Sequence, residues 1–254
     1  LRVLQKKNLL NMKSETCIEF LRGGLITSLQ GNYINNLQHL GITTSGPMDY
    51  FLSNIGNLIM DNNKDDLCFE ICKFGPIIKI IDGNFIFFVS GNINFKIISK
   101  SQTLLGKCFK SYILKTGDVL ELNQTINSNY AYLIFKGKIK TNNYLGYSST
   151  IISSSLGINE GKKINDLDKF KIINVQTFKN RFFSNSVKKF YDNKIRVIKG
   201  PQMNYFKISI INKFFSKKYQ ISKNINRVGV RLIKNQVKPT IASNIASEGI
   251  IKGS

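Results

Sequence analysis

The feature that most constrains the fold is a series of short apolar segments between residues 77 and 135. Segments 77–81, 85–89 and 95–98 are rich in Ile and Phe, and Gly- and Asn-containing turns separate them. Such residues favour strands, and such turns favour reversals of the chain. Similar segments follow at 111–114, 119–122 and 130–135. Many short strands with regularly spaced turns predict a sandwich or a barrel, so we expect a mainly β protein with a few helices.

Residues 39–76 precede this series and predict a turn, a helix and a strand in succession. Gly46 and Pro47 favour a bend, and Asp49 is a residue type that caps helices. Apolar residues then recur at three- and four-residue spacing, which predicts an amphipathic helix. The helix face predicted to be apolar consists of Phe51, Leu52, Ile55, Leu58 and Ile59.

The strand predicted over residues 67–72 contains a carboxylate, Glu70, among apolar residues. A buried carboxylate is unfavourable unless it is paired or hydrogen-bonded. We therefore expect Ser45, Asp49 and Glu70 to come together in one turn–helix–strand unit, with partners for Glu70.

The size and composition fit a soluble globular chain of one large or two small domains. The 254 residues have 42% hydrophobic content and contain no apolar run of the roughly 20 residues that would span a bilayer. We expect a cytoplasmic protein.

The net charge of +22 comes mostly from scattered Lys, because only six of the 37 basic residues are Arg. That pattern favours a solvated surface over a nucleic-acid groove, which would favour Arg.

Metal and triad chemistry have little support in the sequence. The four Cys include the pair Cys68 and Cys72, but no second pair completes a tetrahedral metal site. We interpret them as structural thiols of a reducing compartment. The single histidine, His39, has no nucleophile motif beside it, so a structural role is favoured over a catalytic triad.

The motifs of residues 39–76 resemble a known family. They are His39-Leu40-Gly41, Ser45-Gly46-Pro47-Met48-Asp49, Asn54, Asn57-Leu58, Glu70 and Gly75-Pro76. The run is similar to the biotin-dependent carboxyltransferase family, also called allophanate hydrolase subunit 2, which includes the C subunit of 5-oxoprolinase.

The resemblance continues through later motifs with substitutions. Gln30 lies on a Gln-Asp-x-Gly-Arg motif whose other positions differ here. Ser148 stands at the Arg position of a Leu-Gly-Ser-Arg-Ser-Thr motif that ends at Thr150. Residues 200–206 match Gly-Pro-Gln-x-Asp-x-Phe, with Asn at the Asp position, and also echo residues 46–51. The echo is consistent with two related halves or with chance similarity. After this motif, the apolar spacing of Ile210, Ile211, Phe214 and Phe215 predicts a helix. Segments 195–198 and 219–222 predict strands, and the basic, aromatic segment 169–193 predicts a connection with one short helix.

The sharpest later match is Asn226-Arg227-Val228-Gly229-Val230-Arg231-Leu232. Two Arg residues at this spacing suit binding of a carboxylate or phosphate, and equally suit tying a turn to backbone carbonyls. Likewise, the glycine-rich segment 156–162 is either an anion-binding loop or a simple turn, and we favour the turn.

The resemblance implies a tandem cyclophilin-like β-barrel. Residues 1–15 are then an extension outside the family, residues 16–136 a first barrel-like half, and residues 137–254 a second half that is incomplete at its C-terminal end.

The resemblance also implies the function of a subunit of an ATP-dependent 5-oxoprolinase, which hydrolyses the lactam to glutamate and is active only in complex. Proteins like the A and B subunits of 5-oxoprolinase would be its partners, and ATP the cofactor of the complex. No metal is implied. The implied catalytic residues are Asp49, Glu70 and Arg227. The implied substrate- or nucleotide-binding residues are Gln30, His39, Ser45, Gly46, Ser148, Thr150, Gln202, Arg231 and Glu248.

Two alternatives stay open. The first is a biotin-dependent carboxyltransferase component acting on urea or a related amide, with biotin supplied by another protein. The second is a non-enzymatic regulator that binds a kinase-inhibitor homologue.

Overall fold

A computed structural model describes residues 13–173, 194–225, 227, 229–234 and 237–240. The chain divides into two compact units, Leu1–Ser186 and Val187–Ser254. The described part of the first unit contains two large sheets and one α-helix, and the described part of the second contains one α-helix and a two-stranded sheet. The prediction of a mainly β protein with a few helices is confirmed.

The larger sheet of the first unit has seven antiparallel strands in the order β11-β14-β1-β4-β9-β6-β7. Pairings such as Ile18 with Ile80 and Ile97 with Leu120 align its apolar residues on one face. Its strands are β1 (Glu15–Arg22), β4 (Ile77–Asp82), β6 (Ile93–Ile98), β7 (Thr103–Leu105), β9 (Val119–Thr125), β11 (Lys138–Ile139) and β14 (Lys169–Ile173).

The smaller sheet has five antiparallel strands in the order β2-β3-β10-β5-β8. Two further short strands, β12 (Thr150–Ile151) and β13 (Leu156–Gly157), pair beside its β2 edge. The five strands are β2 (Ile26–Gln30), β3 (Cys68–Cys72), β5 (Asn84–Gly91), β8 (Ser111–Lys115) and β10 (Tyr130–Phe135).

The core of the first unit lies between the two sheets. Both sheets contribute to one cluster of buried apolar side chains, for example Phe20 and Leu120 from one sheet and Phe69 and Leu133 from the other. Phe20 and Phe69 meet edge to face with ring centroids 5.1 Å apart, a geometry that aromatic rings prefer. Neither sheet closes on itself within the described residues, so the predicted barrel is an open two-sheet arrangement there.

Helix α1 (Tyr50–Ile59) packs on the outer face of the smaller sheet, against β10 and β5. The helix itself is as predicted, but the predicted apolar face is only partly right. Phe51 and Leu58 are exposed, whereas the buried residues are Leu52, Ser53, Gly56, Asn57 and Ile59.

One small residue and one polar residue determine which face of α1 is buried. A Cβ at Gly56 would lie 2.5 Å from Cγ1 of Ile134, so only glycine permits this approach. The side-chain amide of Asn57 donates to the carbonyl oxygen of Asp66 at 2.8 Å, which ties the helix to the loop that follows it. The apolar spacing therefore predicted the helix correctly and its buried face incorrectly.

The second unit contains α2 (Ile208–Ser216) and a hairpin of β15 (Gln220–Ile225) and β16 (Val230–Ile233). The helix and the first of these strands are as predicted. The strand predicted at 195–198 is wrong, because these residues form no ladder and are exposed. An isolated apolar segment cannot stay extended as a strand without a paired neighbour.

Three predictions about organisation have different outcomes. The connecting segment predicted at 169–193 begins instead with β14, which pairs with β1; residues 174–193 lie outside the described residues. The extension predicted at 1–15 lies almost wholly outside them as well. The boundary near residue 136 stays a prediction, although β11 and β14 lie beyond it and belong to the first unit.

No helix in the described parts of the chain is both long and apolar enough to cross a bilayer.

Candidate functional site

The first Gly-Pro turn, Ser45–Asp49, leads directly into α1. Gly46 adopts φ 129°, a backbone conformation that L side chains rarely adopt, and a Cβ there would lie 2.5 Å from the Tyr33 ring. Asp49 is the N-cap of α1, and its carboxylate accepts from the backbone N–H of Leu52 at 3.0 Å. That bond satisfies one of the amides that a helix start leaves without a partner.

Glu70 lies beneath this turn on β3 and is only 3% exposed. Its Oε2 accepts from the backbone N–H of Met48 at 2.7 Å and from the hydroxyl of Tyr132 at 2.9 Å. The same hydroxyl accepts from the backbone N–H of Asp49 at 2.6 Å. The expectation that Glu70 is hydrogen-bonded is confirmed, and Ser45, Asp49 and Glu70 do come together.

A polar row runs across the smaller sheet below α1. Ser28, Glu70, Tyr132 and Ser90 are directly paired neighbours on β2, β3, β10 and β5, and all four are buried. Because side chains alternate along a strand, the residues on either side of this row point into the core. The sheet therefore has one apolar face and one partly polar face.

Gln30 and Ser45 converge on one backbone carbonyl at the β2 edge. The side-chain amide of Gln30 and the hydroxyl of Ser45 each donate to the carbonyl oxygen of Thr150 at 3.1 Å. Gln30 also donates to the Ser28 hydroxyl at 2.9 Å. Its Oε1 is buried and accepts no hydrogen bond within the described residues. Gln30, Ser45 and Thr150 thus lie together at this edge of the sheet, and the binding role that the resemblance implies for them stays a prediction.

Ser148 lies beside this group and bonds to Asn32. The Oδ1 of Asn32 accepts from the backbone N–H of Ser148 at 2.6 Å and from its hydroxyl at 2.8 Å. The next residue, Ser149, donates to the carbonyl oxygen of Asn32 at 2.7 Å. A serine at this position therefore links the segment before β12 to the end of β2.

The other predicted residues are on different elements of the chain. His39 is exposed in a short 3-10 turn over Gln38–Leu40. In the second unit, Gln202 precedes a 3-10 turn over Met203–Tyr205, Arg231 is exposed on β16, and Arg227 is exposed before that strand. Glu248 lies outside the described residues. Whether the Arg pair acts with Asp49 and Glu70 stays a prediction.

Burial is the main cause of the raised pKa values of two groups in the sheet that packs under α1, Tyr132 and Cys68. It raises the pKa of Tyr132 well above the ordinary value of a phenol, and the charge of Glu70 raises it further. Burial likewise raises the pKa of the Cys68 thiol to about 12. Both groups are therefore protonated near neutral pH, and Tyr132 keeps an O–H to donate to Glu70.

Two other predictions concern ligands. No group of three metal-ligating side chains exists among the residues that the structure describes. In the segment 156–162, Gly157 and Gly161 have φ of 95° and 67° and pack closely against the backbone of Ser149 and Ser155. These glycines are required by the turn itself, which favours the turn over an anion-binding loop.

Comparison with known proteins establishes the family. The family model of the carboxyltransferase domain, subdomain A and B, matches residues 40–254. The chain belongs to the carboxyltransferase domain family. This match includes the first Gly-Pro turn, β3 and the whole described part of the second unit.

Two relatives indicate the range of proteins in which this carboxyltransferase domain occurs. The chain is 24% identical to the C subunit of 5-oxoprolinase from Escherichia coli over 93% of its length and 74% of that protein. It is 27% identical to urea amidolyase of Saccharomyces cerevisiae over 92% of its length but only 13% of that protein. The match thus covers most of one relative and one part of the other.

Solved structures support the same fold. The chain matches the Kluyveromyces lactis urea carboxylase with a TM-score of 0.74 at 24% identity, covering 90% of this chain and 21% of that one. It matches TTHA0988 with a TM-score of 0.71 at 17% identity, covering 87% and 79%. The fold is therefore that of a carboxyltransferase domain.

Sequence reasoning missed Tyr132, Asn32 and Ser149. Tyr132 lies in the apolar segment 130–135, where a tyrosine is an ordinary strand residue. Its only signal is the polar group within an otherwise buried segment, which needs a partner. The partner, Glu70, is 62 residues away in sequence.

Proposed function

We propose that this chain belongs to an ATP-dependent 5-oxoprolinase complex that hydrolyses the lactam of 5-oxoproline to glutamate with partner subunits. The observation that carries the proposal is the match to the C subunit of 5-oxoprolinase along 93% of this chain. The partners are proteins like the A and B subunits of that enzyme, and ATP is used by the complex. Because the comparison is at 24% identity, turnover of the lactam is the property to measure.

The first unit supports this proposal through groups suited to an amide. Asp49 is half-buried at the start of α1 and is the proposed acid–base residue. Glu70 orients the turn, since its carboxylate already holds Met48 and Tyr132. Gln30 and Ser45 hold the carbonyl oxygen of Thr150 beside this turn. In the net reaction the lactam C–N bond breaks, water supplies the carboxylate oxygen, and the nitrogen becomes an amine.

Reconstitution tests the proposal. The purified chain is combined with the A-like and B-like partner proteins from the same genome, and glutamate formation from 5-oxoproline is followed with and without ATP. We expect ATP-dependent glutamate formation only when all three proteins are present. Activity with two of them, or none with all three, would contradict the proposed role.

Two substitutions of Asp49 separate capping from chemistry. Asn caps a helix as well as Asp does, so Asp49→Asn keeps the bond to Leu52 while removing the carboxylate, whereas Asp49→Ala removes both. We expect Asp49→Asn to retain the wild-type free energy of unfolding and to lose at least about tenfold in kcat, a modest loss for an acid–base group. An Asn variant with full turnover would remove Asp49 from the proposed chemistry.

The second candidate function is a carboxyltransferase component acting on urea or a related amide. The matches to urea amidolyase and to the urea carboxylase structure favour it. The two functions differ in one requirement, since carboxyl transfer needs a biotin carrier. Urea-dependent turnover that avidin abolishes would support this candidate, whereas avidin-resistant lactam hydrolysis would support the first.

A further inference from the structure

Tyr132 is the buried titratable group that connects the sheet to the first Gly-Pro turn. It is fully buried, and its hydroxyl makes two hydrogen bonds, one donated to Glu70 Oε2 and one accepted from the backbone N–H of Asp49. Together with the bond from Met48 N–H to Glu70, these form a continuous chain of three hydrogen bonds. Linked hydrogen bonds of this kind strengthen one another in a buried setting.

This chain of bonds holds two consecutive backbone amides, those of Met48 and Asp49, at the start of α1. Ser45, at the other end of the turn, is fixed by its bond to the carbonyl oxygen of Thr150. The turn is therefore bonded to other elements at both ends, to the backbone of β12 at Ser45 and to side chains of β3 and β10 at Met48 and Asp49. Its position does not depend on α1 alone.

We propose that Tyr132 is a positioning residue of the candidate site, which sets the backbone at Asp49 and keeps the carboxylate of Glu70 aimed at the turn. Tyr132 acts through these two residues and needs no contact with substrate. Only the expected effect on turnover rests on the proposed function. The hydrogen bonds that hold the turn are a property of the isolated chain and can be tested without turnover.

The raised pKa of Tyr132 fits this role. A hydroxyl that ionised at moderate pH would become an acceptor only and would face the Glu70 carboxylate with a like charge. Burial keeps the phenol neutral, so it donates to Glu70 while it accepts from Asp49. Phenylalanine has the same ring and neither capacity.

The test compares Tyr132→Phe with the matched control Tyr112→Phe. Tyr112 lies on β8 of the same sheet, and its hydroxyl also accepts a backbone N–H, that of Lys107 at 2.8 Å. Both substitutions remove one hydroxyl from one tyrosine of this sheet. Only the first removes the acceptor of the Asp49 amide.

The first measurement is hydrogen–deuterium exchange of a peptide covering residues 45–52 in the full chain. We expect Tyr132→Phe to accelerate exchange in this peptide by about tenfold or more, as loss of a hydrogen bond linked to a charged group predicts. Tyr112→Phe should leave it unchanged. Unchanged exchange in Tyr132→Phe would overturn the inference whatever the activity shows.

The second measurement is turnover by the reconstituted complex. We expect Tyr132→Phe to lower kcat about tenfold with little change in KM, and Tyr112→Phe to change neither. Equal kinetics for the two variants would overturn a positioning role. If the wild-type complex shows no turnover, the proposed function fails and the exchange result alone decides the inference.

A second variant guards against a Tyr132→Phe chain that does not fold. Glu70→Gln keeps an oxygen that accepts from Met48 and Tyr132 but removes the charge that strengthens both bonds. The inference predicts a smaller acceleration of exchange in the same peptide, about threefold. Wild-type exchange in Glu70→Gln would count against the hydrogen-bonded chain.

Discussion

The two Gly-Pro turns of the chain have similar sequences and different surroundings. The first, Ser45–Asp49, precedes α1, which buries five residues against a sheet. The second Gly-Pro turn, Gly200–Asn204, precedes α2, which buries none. Asp49 caps α1 with its carboxylate, whereas the N-cap of α2, Lys207, makes no side-chain capping bond.

The difference shows what makes such a turn rigid. In the first turn, strands supply an acceptor to the Met48 amide and an acceptor to the Asp49 amide. In the second, the backbone N–H of Met203 donates to the carbonyl oxygen of Gly200 at 3.2 Å, a bond within the turn, and the residues that follow the turn, Tyr205 and Lys207, bond to Thr240. The sequence motif alone gives the bend, and side chains from distant strands give the fixed geometry.

The largest expected effect is at the buried end of the first turn. Glu70→Ala leaves the Met48 amide and the Tyr132 hydroxyl without their acceptor, and each unsatisfied buried donor is unfavourable. We expect the free energy of unfolding in urea to fall by about 3 kcal/mol. Asn204→Ala, at an exposed position of the second turn, should change it by less than about 0.5 kcal/mol. Similar losses in both variants would contradict the comparison.

An intermediate effect is expected at the first glycine of each turn. Gly46→Ala strains a backbone at φ 129° and places a Cβ 2.5 Å from the Tyr33 ring, whereas a Cβ at Gly200 meets nothing within 4 Å. We expect Gly46→Ala to lower the free energy of unfolding by about 2 kcal/mol, which is measured as a fall in the midpoint temperature of thermal unfolding. Gly200→Ala should leave it nearly unchanged. A tolerated Gly46→Ala would mean that the first turn adjusts as easily as the second.

The smallest effect is expected at the helix caps. Asp49→Ala removes the capping bond to Leu52 and should cost about 1 kcal/mol in chemical denaturation. Lys207→Ala removes no capping bond, so a change well below that is expected. Equal effects at the two positions would show that Asp49 stabilises α1 by some other means.

Much of the fold follows from local patterns. The Ile- and Phe-rich segments between residues 77 and 135 are strands as predicted, because β-branched and aromatic residues bounded by turns favour a pleated, half-buried surface. The helix at 50–59 follows from its apolar spacing and its Asp cap. The short strands β7, β11 and β13, each two or three residues long, have too little sequence for any pattern to mark them.

The candidate site was predictable in part. Glu70 stands out because it is a charge in an apolar strand, and its need for partners follows from the cost of burial. Its actual partner could not be predicted, since the pairing of β3 with β10 is a long-range contact. The buried face of α1 was missed for a similar reason, because the fit of Gly56 against Ile134 depends on a strand 78 residues later in the sequence.

The polar row of Ser28, Glu70, Tyr132 and Ser90 also bears on how the strands find one another during folding. A shift of one residue between β3 and β10 would turn either the carboxylate or the phenol towards the Phe-rich interior. A shifted pairing of these strands therefore costs more free energy than the same shift would cost in an all-apolar sheet. The same side chains that hold the first turn thus select a single alignment of the four strands.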